Sequence, residues 1–155
     1  PTITVDQDVG EFDLTLLGPG AQHLVLTLAE NLLLEREALR RADESILVAV
    51  DHGDRLDEMR ERLRTAVASG RTTIASYDID TVTMSLVVAF GRQNGLSVGL
   101  DAVGTLTEET YDASGALLAR TSSPFAQMFV IRRATGGRWL NVAVLPPGGG
   151  GLTVR

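Results

Sequence analysis

The chain has 155 residues and a net charge of −6, from 20 acidic against 14 basic residues. A chain of this length forms one domain and buries roughly 70% of its unfolded surface without staples. It has no cysteine and no lysine, which excludes disulfides, thiolate metal sites, Schiff-base chemistry and a Walker lysine, and its acidic balance argues against nucleic acid as a partner.

Residues 2–17 alternate weakly. Ile3 and Val5, then Phe12, Leu14 and Leu16, are apolar at period two around a turn-like Asp6–Gly10, and this predicts a short N-terminal hairpin. Gly18-Pro19-Gly20 breaks the chain, so residues 1–20 read as an extension of a single domain.

From Ala21 to Val50 the period becomes helical. Leu24, Leu28, Leu32, Leu39, Ile46 and Val50 share one stripe. Unbroken, that helix is about 45 Å long, so a break near Asn31 is expected. Asp51-His52-Gly53-Asp54 then punctuates the chain. Gly53 suits the left-handed residue past a helix end, and Asp54 suits the N-cap of the next helix. Leu56, Met59 and Leu63 give that second helix its stripe, and Ser69-Gly70 end it.

After residue 71 the period is two. Val82, Met84, Leu86, Val88 and Phe90 make one face of a strand, Gly91–Gly95 is a turn, and Leu96 to Leu106 continues the pattern. Asp112–Gly115 turns again. Phe125 to Ile131 is apolar on both faces, which predicts a central strand. Ala134–Gly137 turns into a last strand, Arg138 to Leu145, and residues 146–155 form a Pro/Gly-rich tail. Consecutive hairpins after helices predict an α+β fold, with N-terminal helices packed on a curved antiparallel sheet.

A helical half, a long antiparallel sheet and a closing strand that reads Gly137-Arg-Trp-Leu resembles the nuclear transport factor 2-like cone superfamily. The local match runs from Ala102 to Leu145. It includes Gly104-Thr-Leu-Thr-Glu, the turn at Asp112-Ala-Ser-Gly and Phe129-Val-Ile-Arg-Arg. Within the superfamily the region is most like non-catalytic domains of bacterial envelope or membrane-associated proteins. The N-terminal hairpin and the length of the first helix depart from the family pattern.

The resemblance implies a non-enzymatic ligand-binding or protein-interaction domain, a module of a larger bacterial protein with a protein partner or small apolar ligand. It also implies a homodimer through the open sheet face. The alternative it carries is a small-molecule isomerase, dehydratase or hydrolase, with acid–base residues inside the cone. Asp51, His52, Tyr77 and Asp80 are the candidates for that chemistry, which needs a carboxylate, imidazole or phenol of tuned pKa in an apolar pocket. Cap chemistry alone explains Asp51 and His52, and Asp80 reads as a solvated edge residue. Val82, Met84, Leu86, Val88, Phe90, Phe129 and Trp139 are the candidate binding surface. No cofactor motif occurs, and the only two histidines, His23 and His52, are too far apart in sequence for a zinc pair.

No apolar run reaches the roughly 20 residues that span a bilayer, and no signal peptide is visible. The chain starts at Pro1, which reads as a mature chain or an excised piece. The expected location is the cytoplasm or the soluble part of a membrane or envelope protein.

Overall fold

A computed structural model describes residues 1–87 and 97–149. Helices pack on an open, five-stranded mixed sheet, an α+β fold. In chain order the elements are β1 (Thr2–Val5), α1 (Gln7–Phe12), a 3₁₀ turn (Leu14–Leu16), α2 (Pro19–Arg41), α3 (Glu44–Val50), α4 (Gly53–Ser69), β2 (Thr72–Val87), β3 (Ser97–Tyr111), β4 (Leu117–Arg133), β5 (Trp139–Leu145) and a closing 3₁₀ turn (Pro147–Gly149). Strand order is β1-β2-β3-β4-β5. The pairs from β2 to β5 are antiparallel, while β1 lies parallel to β2, with Thr2 opposite Thr81 and Val5 opposite Met84.

The predicted N-terminal hairpin does not form. Residues after Asp6 enter a helix, and the Asp13 carboxylate accepts from the Thr15 backbone N–H at 2.9 Å, which turns the chain into 3₁₀ geometry. This local side-chain bond competes successfully with strand pairing. Of the three apolar residues that suggested a strand, Leu16 is buried, while Phe12 and Leu14 are exposed. Residues 1–20 are built into the fold: Val9 and Leu16 belong to the main core, and Ile3 and Val5 pack against it.

The long helical stripe does break, but not at Asn31. The helix α2 runs straight through Asn31 and ends at Ala42, which takes a left-handed φ of 51° and donates to the carbonyls of Ala38 and Leu39. Asp43 then caps α3 by accepting from Ser45 N at 3.0 Å. At the next junction Gly53 has a positive φ of 56° as expected, yet it opens α4, with His52 rather than Asp54 at the N-cap.

The sheet is longer than the apolar runs alone suggest, because β2 begins at Thr72 and β4 at Leu117. The register between β2 and β3 slips at Asp80, a one-residue bulge between Ile79 and Thr81. The bulge inverts the phase of β2. Tyr77 and Ile79 meet the core before it, and Val82 and Met84 after it. Gly104 sits opposite the bulge, where any Cβ would fall 1.9 Å from the Asp78 carbonyl oxygen.

The main core joins Leu24, Leu28 and Leu32 of α2 to Val82, Met84, Leu100, Phe125, Phe129 and Ile131. A second cluster at the helical end joins Leu39, Leu47, Met59, Leu63 and Ile74. A third, on the other face of the sheet, holds Val87, Met128, Val130 and Val142. Thus β4 is apolar on both faces where β3 and β5 flank it, as the sequence predicts. Asp101 lies on that other face too and accepts from Gly148 N at 2.9 Å, which ties down the start of the tail. Among the described residues no helix is long and apolar enough to cross a membrane.

Candidate functional site

The stripe Leu28, Leu32, Leu39 of α2 has a charged member, Glu35, spaced three from Leu32 and four from Leu39. Helical geometry therefore drives its carboxylate into the core. Arg55, in the first turn of α4 and one turn before Met59, is driven inward the same way. Glu35 and Arg55 are each 3% exposed, and Asp51 and Asn141 beside them are 1% exposed.

These groups form one network. Arg55 donates from Nε and Nη2 to the two oxygens of Glu35, at 2.9 and 2.7 Å, a bidentate pair. Its Nη1 donates to Glu58 at 3.2 Å. Asn141 on β5 donates to Glu35 at 3.3 Å, and Asn31 on α2 donates to the Trp139 carbonyl at 3.1 Å. The backbone closes the ring: His52 N–H donates to the Asn141 carbonyl at 2.9 Å, and Asp51 bridges Asn141.

Asp51 stands apart, since neither of its buried carboxyl oxygens meets a donor from the described residues. Its protonation state follows from these surroundings. Burial, reinforced by the hydrogen bond and charge of Glu35, pushes the Asp51 carboxyl up to about 10. Two adjacent buried carboxyls cannot both ionise beside a single arginine. Asp51 is therefore the carboxyl that keeps its proton, beside an ionised Glu35. Burial opposes the ionisation of Glu35, but the hydrogen bonds and charge of Arg55 outweigh it and hold Glu35 below the usual carboxylate range. Arg55 is raised, because Glu35 overcomes its burial.

A cleft of about 440 Å³ opens above this network, between α2, α4 and the inner face of β2 and β3. Its buried wall contains Glu35, Arg55, Leu32, Leu39 and Met59, with Tyr77 half-buried beside them. Its exposed rim carries Glu61, Arg62, Arg71 and Glu108. The Tyr77 ring stands edge-on to Phe125 and Phe129, with centroids at 5.2 and 5.5 Å. Burial raises its phenol, an effect that Arg55 partly offsets. A larger hollow, about 590 Å³, lies on the other side of Arg36 and Leu39, against Ile74, Tyr111 and the turn at 112–115; Glu35, Asp51 and Arg55 do not line it.

The structure thus brings two of the four predicted acid–base candidates toward one place. Tyr77 lines the cleft, and Asp51 lies behind Glu35. His52 is exposed and its side chain makes no cap bond, while Asp80 is exposed at the bulge. Asp51 is the C-cap of α3, its N–H donating to the Leu47 carbonyl as the cap reading expects, but its side chain is buried next to Asn141. Of the predicted binding residues, Val82, Met84 and Phe129 fill the main core, and Leu86 and Trp139 pack at its margin. None of them lines the cleft. Trp139 lies under the Arg133 guanidinium at 5.9 Å. Val88 and Phe90 fall outside the described residues. Among the described residues no cluster of His, Asp and Glu could hold a metal ion.

No family model matches the chain, and no curated protein matches its sequence. Among solved structures it resembles the intermembrane-space region of the chloroplast protein ARC6, with a TM-score of 0.57 and 14% identity over 83% of this chain and 95% of that one. At that identity the likeness is one of fold, an α+β domain of similar extent.

Proposed function

We propose that this chain is a non-enzymatic binding domain of the nuclear transport factor 2-like cone type, with the α2–α4 cleft as its ligand site. One observation carries the reading. The buried ionisable groups of the cleft neutralise one another, since both oxygens of Glu35 accept from Arg55, Asn141 adds a third bond, and Asp51 is shielded behind it. A general base working near neutral pH needs a raised pKa, whereas Arg55 holds Glu35 below the usual carboxylate range. What remains is apolar surface with a charged rim, which suits binding. The structural neighbour is itself a region of a larger chloroplast protein, in keeping with a module of a larger protein. Pairing of two copies through the open sheet face belongs to the same reading, and sedimentation across a concentration series tests it.

A second reading, a small-molecule isomerase or hydrolase, draws on the carboxyl held neutral at Asp51 and the Tyr77 phenol on the same cleft. A thermal-shift screen of steroids, lipids, small organic acids and short peptides separates the two. The binding reading expects stabilisation without turnover, abolished by Thr73→Trp, which blocks the mouth. Turnover of any such compound that Tyr77→Phe removes would replace it with the enzyme reading.

A further inference from the structure

Nearly every charge on the wall of the α2–α4 cleft has a partner. Glu35 holds Arg55, Arg62 meets Glu58 at 2.6 Å, Glu61 meets Arg64 at 2.9 Å, and Arg36 lies 3.7 Å from Glu109. Arg71 and Glu108 are the exceptions. Both line the cleft, yet among the described residues neither side chain has an ion-pair or hydrogen-bond partner.

Strand register separates the two. Arg71 stands just before Thr72, whereas Glu108 lies opposite Ala75 on β2. Four residues of strand cover about 14 Å, and both side chains reach inward from those positions. Between them on the same face of β2 stands Thr73, Ala75 lies level with Glu108, and Leu32 and Met59 line the cleft as well. Tyr77 lines the cleft beyond Glu108, opposite Leu106. A ligand with one charge would satisfy one end and lie near a like charge or nothing at the other. A ligand with an anion and a cation about 10 Å apart satisfies both. An extended tripeptide has that span, at about 3.5 Å per residue.

We infer that the cleft takes a short peptide with free termini, about three residues long, its carboxylate on Arg71, its ammonium on Glu108 and an apolar side chain against Leu32, Met59 and Ala75. The inference rests on the binding reading and names its ligand class. The Thr73 side chain lies between the two ends, level with a central peptide group.

Isothermal titration with Ala-Leu-Ala, its N-acetyl form, its C-terminal amide and the doubly blocked form tests it at low ionic strength. The free peptide binds, and blocking either end weakens binding about two- to fivefold, the range of an exposed ion pair. Arg71→Gln abolishes the preference for the free carboxylate and keeps that for the free amine. Glu108→Gln does the reverse. Both residues are exposed, so neither variant disturbs the core. Equal affinity of the free and doubly blocked peptides, or preferences unchanged in the variants, overturns the termini assignment and leaves cleft binding standing. Absence of binding by all four forms overturns it too, and the binding reading falls with it only when the wider ligand screen is also silent.

Discussion

Replacing Asp51 with asparagine keeps the shape of the side chain and removes its proton equilibrium. In the fold, burial and Glu35 hold the carboxyl up to about 10, against an ordinary value of 3.8. An acid whose folded pKa is raised keeps its proton where the unfolded chain has released it. Its folded form is therefore favoured most below pH 4, and stability declines as pH climbs from there toward 10. At pH 7 the accumulated penalty is about 4 kcal/mol, at 1.36 kcal/mol per unit. Asparagine has no proton equilibrium and escapes that penalty, offset in part by burying an amide without a recorded partner. The expected net gain at pH 7 is about 2 kcal/mol, or about 4–8 °C in Tm for a chain of this size. Urea denaturation of both proteins at pH 5, 7 and 9 is the assay. The native protein loses stability across the series, and Asp51→Asn changes far less. Glu35 works in a separate window: its pKa is depressed by Arg55, so its contribution is lost as pH falls below the ordinary carboxylate range. The reasoning is refuted if Asp51→Asn is less stable at pH 7 and the native protein gains stability from pH 5 to 9. That result would make Asp51 an ionised partner of Arg55.

Arg55→Met leaves Glu35 buried without its cation and should cost about 3–5 kcal/mol by urea denaturation, whereas the double change Glu35→Leu with Arg55→Met should recover most of that loss. Gly104→Ala drives a methyl into the Asp78 carbonyl; circular dichroism melting should show a loss above about 3 kcal/mol or no folded protein. Met84→Ala, at a fully buried core position, should cost about 2–5 kcal/mol. His52→Ala should stay within about 0.5 kcal/mol of the native protein, because the ring is exposed and caps nothing.

Where one period dominates, the sequence reads directly into the fold. The leucine stripe of α2, the stripe of α4 and the alternation at Val82, Met84 and Leu86 and again at Val98, Leu100 and Ala102 all appear where they are expected. Boundaries set by backbone conformation were less legible. Ala42 adopts a left-handed φ with no glycine to signal it, and the readable sign of that break was Asp43 two residues before Ser45, a cap pattern. The strand β1 was legible as an extended segment, but its parallel partner was not, because pairing across the whole helical half leaves no local trace. The site was legible in part. Tyr77 and Asp51 were singled out, but Glu35 and Arg55 were not. Their signal was present all the same, since each is a charged residue in the apolar phase of its helix. A stripe that tolerates a carboxylate on one helix and a guanidinium on another implies that the two meet.

The parallel seating of β1 also sets an order of events in time. Thr2 reaches Thr81 only after four helices and the first half of β2 have been placed, and the chain between them must close as one large loop. Hairpin pairs such as β3–β4 close through a short turn and meet first. The seat for β1 at residues 81–84 is therefore the last position filled during folding and the first vacated when the domain opens. Amide exchange at Ile3 and Val5 would report that opening ahead of any change in the helices.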